Sequence, residues 1–283
     1  MTTSTQGNPA GSLPAEEERL LAADRVRQQQ KARQRTIDRI VVTASLIGIW
    51  EFVVWIGWVH PFFVSRPSLI AIDLWKMFST GFIFKHLAIT MWEAIAGLFI
   101  GAALGIATGF IAALSQRVAD ALIPLIVAFN SMPRVAIAPL FVIWLGFGPS
   151  SKIGLVALVV YFAVFFNTFS GMRSVDPVLT NSIRVMGANR IQALWMVSLP
   201  HTMAWVFAAM NTSISLALIG AVVGEFIGST AGIGWIMVQA TGTLETTRLF
   251  STMIVLAFVG AGLFAIVNWT EQYVLRWRPR TAN

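Results

Sequence analysis

Long apolar runs alternate with short polar segments along most of the chain. They lie at about 39–59, 86–113, 121–145, 153–170, from just after Pro200 to 228, and 249–270. A run near 20 apolar residues is what one helix needs to cross a bilayer. The pattern therefore predicts an all-α integral membrane protein with six transmembrane helices. The first run carries Trp50, Trp55 and Trp58 toward its outer half, where aromatics suit an interface. Glu51 lies inside that run and must face protein or water. Between the first two runs, Pro61 and Pro67 break the chain, and Leu69, Ile70, Leu74 and Met77 predict a short amphipathic helix on the membrane surface. The second run holds Gly97, Gly101, Gly105 and Gly109, a four-residue ladder that gives one face a smooth stripe for close helix packing. The third is interrupted by Pro124, Pro133 and Pro139, and Arg134, near the start of the stretch 131–148, is expected within reach of the cytoplasmic side. Residues 146–152 read as a short outer turn.

One stretch is different. Residues 171–200 carry Arg173, Asp176, Arg184 and Arg190 and are too long for a turn. Asp176 is placed to cap a helix that starts at Pro177, and Val178, Leu179, Ile183 and Met186 recur at helical spacing to 186. A second piece, 188–198, puts Ile191, Leu194, Trp195 and Val197 on one side. Gly187 separates the two. Two short helices joined at a glycine, held at a membrane face, are available to something else.

The spacing within this stretch is specific. Gly187 is followed by nine residues, Val197, one residue and Leu199-Pro200. This resembles the cytoplasmic signature loop of binding-protein-dependent ABC importer permeases, which runs Glu-Ala-Ala, three residues, Gly, nine residues, Ile, one residue, Leu-Pro. Here Val197 stands for the Ile. The opening triplet departs, with Asn181-Ser182-Ile183 in place of Glu-Ala-Ala, so the family's carboxylate is missing from it. The segment 131–148, SMPRVAIAPLFVIWLGFG, is similar to the nitrate, sulfonate and taurine branch of the same superfamily. The resemblance spans about residues 66 to 270. It implies a type I importer permease of MetI-like architecture whose 171–199 segment forms coupling helices. Asn181, Ser182, Ile183, Arg184, Gly187, Ala188, Arg190, Leu199 and Pro200 would dock on an ATPase. It further implies a permease homodimer, two ATPase subunits inside, and a periplasmic or lipid-anchored solute-binding protein outside. ATP and magnesium would bind the ATPase, and this chain would hold no cofactor of its own.

Composition sharpens the picture. The chain of 283 residues is 56% hydrophobic and 12% charged, against about 25% charged in soluble domains. The net charge of +7 is distributed as membrane orientation requires, which removes the need for a nucleic-acid partner. Most of the Lys and Arg lie in the tail from Arg19 to Arg39, at Arg117, in the 171–200 stretch, and at Arg276, Arg278 and Arg280. Segments on the other side hold Arg66, Lys76, Lys85, Lys152 and Arg248. The bias predicts both termini in the cytoplasm of a bacterial inner membrane, with 171–200 on the same side. The domain reading is a cytoplasmic tail over 1–38, a permease domain over 39–272 and a second cytoplasmic tail over 273–283. The first dozen residues read as disordered and 15–38 as a charged helix running up to the membrane. No secretory signal pattern is present.

Candidate chemistry is sparse. There is no cysteine, the histidines His60, His86 and His201 form no ligand spacing and are expected at interfaces, and no phosphate loop occurs. An enzyme reading finds no nucleophile, base or metal cluster, so the free energy for pumping comes from a partner or an ion gradient. Glu225, set among Gly220, Gly224, Gly228, Gly232 and Gly234, either lines a pathway or gate or pairs with another span. Asn211, Ser213 and Ser215 offer neutral donors for an oxyanion or for a neighbouring helix. Arg134 is the candidate counter-charge by type, and Glu93 is a further acid within a span. An ion-driven secondary transporter is the alternative class, but it would show duplicated halves. A membrane scaffold would leave Glu51, Glu93 and Glu225 without a purpose. By resemblance the substrate is a small oxyanion such as a sulfonate, taurine or nitrate. Aromatic carboxylates and vitamin or pyrimidine precursors are alternatives within the branch.

Overall fold

The computed structural model describes residues 15–275 and contains no strand among them. In chain order the helices are α1 (Ala15–Trp55), α2 (Pro67–Ser79), α3 (Phe82–Leu114), α4 (Gln116–Asn130), α5 (Arg134–Leu145), α6 (Pro149–Arg173), α7 (Pro177–Val185), α8 (Arg190–Ala193), α9 (Leu199–Gly228), α10 (Ile233–Gly242) and α11 (Thr246–Val274). The chain divides after His60 into two compact units. In the first, α1 runs unbroken from the charged stretch into the apolar one, as the charge pattern predicts for 15–38. Ile40, Leu46 and Phe52 stand exposed along its apolar part, as lipid-facing residues would. The dozen residues expected to be disordered, and the basic tail Arg276 to Arg280, lie outside the described residues.

The second unit is built on α3, α6 and α9. Ala94, Leu98 and Ala102 of α3 meet Val156, Val160 and Val164 of α6 and Ala209, Ala217 and Ala221 of α9 in one buried cluster. Apart from Leu98 these are small or β-branched side chains, and the small ones let helices approach closely. The glycine ladder supplies the closest approach. A Cβ built on Gly105 would stand 2.9 Å from the Tyr161 carbonyl oxygen and 3.0 Å from the Phe165 nitrogen; one on Gly109 would stand 2.9 Å from Thr168 Cβ. These neighbours are largely backbone, which cannot swing aside. Gly105→Leu should therefore cost more than the roughly 1–3 kcal/mol typical of core overpacking. A thermal melt of the detergent-solubilised protein checks this against Gly262→Leu, where an added Cβ meets nothing within 4 Å.

Among the described residues, four single helices or helix runs are long and apolar enough to span: Phe82–Leu114, Pro149–Arg173, Arg190–Gly228 and Thr246–Val274. The pair α4 and α5 is a fifth, bent by 97°. The bend falls at 131–133, where Pro133 has no N–H to continue α4 and serves as N-cap of α5. Six spans were expected; among the described residues four or five pass by length and composition, and α1, which was expected to supply the first, is not one of them.

Four features depart from the sequence reading. Arg134 does not lie near a membrane face: it sits against Leu155 and Val159 of α6 and Leu216 and Ile219 of α9, part-way along both helices. Only 146–148 form the turn before α6, because Pro149 starts the helix and draws Lys152 into its first turn, 2% exposed. The piece expected at 188–198 is not a separate helix. It enters α9 through a π-helical turn, Leu194–Ser198. Finally, α10 folds back between α9, α11 and α3, burying Ile233, Ile236, Met237 and Ala240. The amphipathic helix expected near 69–77 is present as α2, with Ile70 and Met77 buried.

Candidate functional site

The polar stretch folds as a short helix, a tight turn and the start of a long helix. Asp176 caps α7 by accepting a hydrogen bond from the Val178 N–H at 2.8 Å. At the other end, the Gly187 N–H donates to the Arg184 carbonyl and the Ala188 N–H to the Ile183 carbonyl, each at 3.0 Å. This paired 5→2 and 6→1 closure needs a left-handed residue, and Gly187 supplies it with φ +95°. Asn189 then caps α8 in a reciprocal box. Its side chain accepts from the Gln192 N–H, and the Gln192 side chain accepts from the Asn189 N–H, both at 2.8 Å. The sequence signal for that box is Asn189 three residues before Gln192. Only the four residues 186–189 separate the end of α7 from the start of α8. Val185 and Met186 stand out at 89% and 85% exposure, with Ile191 and Trp195 also exposed. Large apolar side chains beside Arg184 and Arg190 form a surface suited to a protein partner.

A second polar constellation lies inside the bundle. Glu225 of α9 is 1% exposed. Its Oε1 accepts from the Thr90 hydroxyl at 2.6 Å and its Oε2 from the Gly234 N–H at 2.5 Å. Thr90 in turn accepts from the Ile233 N–H at 2.8 Å, and His86 Nδ1 accepts from the Gly232 N–H at 3.0 Å. The His86 ring stacks on Trp235 with centroids 5.2 Å apart. The N-terminus of α10 is thus held by three side chains, two from α3 and one from α9, in the place where a helix leaves its N–H groups unsatisfied. Glu93 stands beside Glu225, also buried, with Oε2 lacking a hydrogen-bond partner among the described residues. The cation near both acids is Lys152, not Arg134. Lys152 Nζ donates to the carbonyls of Phe147 at 2.7 Å, Gly148 at 3.1 Å and Gly228 at 2.8 Å.

The glycines around Glu225 follow from this crowding. A Cβ on Gly234 would stand 2.8 Å from Glu225 Oε2, and one on Gly224 would stand 2.9 Å from Lys152 Cγ. His86 was expected at an interface; it is buried because α10 covers it. His201 bonds Ser174 at 3.0 Å.

The remaining candidates separate. Asn211 donates to Glu271 Oε2 of α11 at 3.0 Å, while Ser213 is buried and Ser215 exposed. Thr212, Ser215, Ile219 and Phe226 share one exposed face of α9. Arg134 opens α5, donates to Asn130 Oδ1 at 2.5 Å and stands 5.8 Å from the Phe162 ring centroid. The structure therefore does not bring Glu225, Asn211, Ser215 and Arg134 into one site. At the far end of the unit, Asp73 of α2 holds Arg248 of α11 in an ion pair of 2.8 Å. Among the described residues no group of three or more His, Asp or Glu could hold a metal.

Residues 101–278 match the family model described as binding-protein-dependent transport system inner membrane component. A putative aliphatic sulfonates transport permease of Bacillus subtilis is 32% identical over 270 residues, covering 95% of this chain and 96% of that protein. The riboflavin transport system permease of Chloroflexus aurantiacus is 29% identical over 253 residues, covering 89% and 94%. The taurine transport system permease of Escherichia coli is 30% identical over 250 residues, covering 87% and 88%. Among solved structures, an amino acid ABC transporter with histidines superposes with a TM-score of 0.56 at 17% identity, over 72% of this chain and 98% of that one, which supports the fold. The spans, the capped turn at Gly187 and these matches converge: the chain belongs to the binding-protein-dependent transport system inner membrane components, the transport subunits of ABC importers rather than enzymes.

Proposed function

We propose that the chain forms one half of a homodimeric permease that passes a small organic oxyanion, a sulfonate in the first instance, into the cytoplasm by alternating access. Two ATPase subunits, which bind ATP and magnesium, would dock on residues 177–195, and a solute-binding protein would deliver substrate on the opposite face. The observation that carries this is the capped turn at Gly187 with Val185, Met186, Ile191 and Trp195 presented around Arg184 and Arg190. ATP would favour one state of the spans, and α7 would transmit that preference because the short closed turn at 186–189 ties it to the helical run that leads into α9. Both termini and 171–199 lie in the cytoplasm in this reading, with the permease domain over 39–272. The exposed α9 face bearing Ser215 would meet the second protomer and line the pathway. Glu225 would hold the outer end of the bundle rather than contact substrate, since its carboxylate is already occupied by α3 and α10.

The substrate class rests on two supports. Relatives named for aliphatic sulfonates and for taurine cover most of the chain, and Arg134, half-buried at the start of α5, has no carboxylate partner among the described residues. The riboflavin-named relative keeps a vitamin precursor as the second reading.

The first test is a pull-down of tagged permease from gently solubilised native membranes. An ATPase subunit should come with the wild type and be lost when 181–191 is scrambled, while a solute-binding protein accompanies the intact complex. Recovery without any ATPase would overturn the docking assignment.

A further inference from the structure

The turn that joins α10 to α11 repeats the closure at Gly187 with different residues. The Leu244 N–H donates to the Thr241 carbonyl at 3.2 Å and the Glu245 N–H to the Ala240 carbonyl at 2.8 Å. This is the same 5→2 and 6→1 pairing, and it again needs a left-handed residue. Here that residue is Leu244, at φ +60°, the one non-glycine with a positive φ among the described residues. Its Cβ makes the conformation unfavourable, which is why glycine usually holds this place. The next position is out of type as well. Glu245 is the N-cap of α11, yet its side chain makes no capping hydrogen bond, a role that Ser, Thr, Asp and Asn fill. At 186–189 the same two places are taken by Gly187 and Asn189. Both misfit side chains are exposed: Leu244 at 63%, and Glu245 with no hydrogen bond or ion pair to its carboxylate among the described residues. A protein carries such local strain where the side chains serve another purpose.

The three residues that follow are clamped to the chain around α2. Thr246 donates to the Phe62 carbonyl, the Ser65 and Thr247 hydroxyls bond at 2.8 Å, and Arg248 pairs with Asp73 at 2.8 Å. The turn is thereby held in place, and an open hollow lined by Pro61, Phe62, Asp73 and Thr247 lies beside Leu244 and Glu245. Asn211 of α9 bonds Glu271 of α11, and Leu218 lies against Gly260, so α11 runs back along α9. The start of α11 therefore stands by the end of α9, remote from the turn at Gly187. We infer that Leu244 and Glu245 are the docking contact for the solute-binding protein: the leucine enters an apolar socket on that partner and the glutamate meets a basic side chain at the socket's rim. The inference rests on the importer reading above, which puts the binding protein on the face opposite the ATPase, and deepens it by naming the contact. The family is described by its dependence on a binding protein. A lipid occupant does not suit the surface, because an unpaired carboxylate adjoins the leucine and Asp73, Thr246 and Thr247 surround it. An apolar centre with a polar rim is the make-up of a protein interface. A knob fixed beforehand loses little freedom on binding.

The test uses the whole importer in nanodiscs and, as probe, the purified solute-binding protein that accompanies it in the pull-down. ATP hydrolysis is followed as that protein is titrated. Leu244→Asn suits the left-handed backbone but removes the apolar knob, and should raise the half-saturating concentration about tenfold. Leu244→Met keeps an apolar side chain and should stay within about twofold of the wild type. Glu245→Lys should raise the concentration about threefold, by an amount that shrinks as salt is added. A thermal melt gives the second readout. Leu244→Asn should melt no lower than the wild type while docking more weakly, whereas a leucine with only a structural role would lower the melt and leave docking alone. Should that variant fail to assemble, Leu244→Gly carries the same pair of measurements. A half-saturating concentration unmoved by both Leu244→Asn and Glu245→Lys overturns the contact, and would leave the leucine to the lipid. A lowered melt in the Asn and Gly variants overturns the strain assignment on which it stands. A wild-type importer that no binding protein stimulates defeats the importer reading together with the inference, while stimulation that survives both variants defeats the inference alone.

Discussion

Lys152→Met is expected to give a protein that inserts but melts roughly 10 °C below the wild type. Lys152 Nζ donates to three carbonyls, and one of them, Gly228, is the last residue of α9. The carbonyls at a helix C-terminus have no partner within the helix, and a cation there completes them. The other two, Phe147 and Gly148, belong to the turn that feeds α6. One ammonium therefore ties the end of α9 to the beginning of α6, next to the buried acids Glu93 and Glu225. Methionine preserves most of the volume but leaves those carbonyls and acids without their cation. Removing one partner from a buried charged network costs about 3–5 kcal/mol, and each kcal/mol moves the melt of a chain this size by about 2–4 °C. A tryptophan-fluorescence melt in detergent reads the shift. Lys76→Met, on an exposed turn of α2, should stay within about 0.5 kcal/mol. A melt for Lys152→Met that coincides with the wild type would remove the network from any account of stability.

Glu225→Gln separates support from conduction. The amide oxygen can still accept from Thr90, but its NH₂ would then face the Gly234 N–H, donor against donor. In combination with Lys152→Met the losses should fall short of additive, since both changes break one network.

How much of this was legible in the chain follows a physical division. The spans, the capped start at Asp176 and the turn at Gly187 are local: each depends on residues within a few positions, and each was readable. The glycine ladder announced close packing, though not that α6 was the partner. Lys152 was read as a surface lysine because a hydrophilic GFGPSSK segment looks like an outer turn. The structure shows a lysine three residues into a helix, turned onto carbonyls at a distance of 76 positions along the chain. Glu225 could not be assigned from sequence for the same reason. Its partners Thr90 and Gly234 come from helices far apart in sequence or folded back on it, and α10 was overlooked although Ile233, Ile236, Met237 and Ala240 carry helical spacing. Arg134 was misplaced because a span with three prolines does not reveal the angle at which it bends.

Gly187→Val should leave the permease inserted and folded yet cut substrate-stimulated ATP hydrolysis and uptake by at least about tenfold. An added Cβ at Gly187 meets nothing within 4 Å, so crowding plays no part and the effect is confined to the backbone. With φ at +95°, an ordinary L-residue pays roughly 1–2 kcal/mol, and a β-branched one more. The turn relieves that strain by opening, which releases the Gly187 and Ala188 hydrogen bonds that close α7. Coupling between two sites in one protein is commonly worth only about 1–3 kcal/mol. The strain is of the same size, so a loosened turn suffices to erase the link between nucleotide state and the spans. The series should be graded: Asn tolerates the left-handed region and should retain most activity, Ala less and Val least. Membrane abundance, thermal melt and the rate of uptake per ATP hydrolysed are measured together for all three. Normal uptake by the Val variant at normal abundance would show that α7 does not carry the signal.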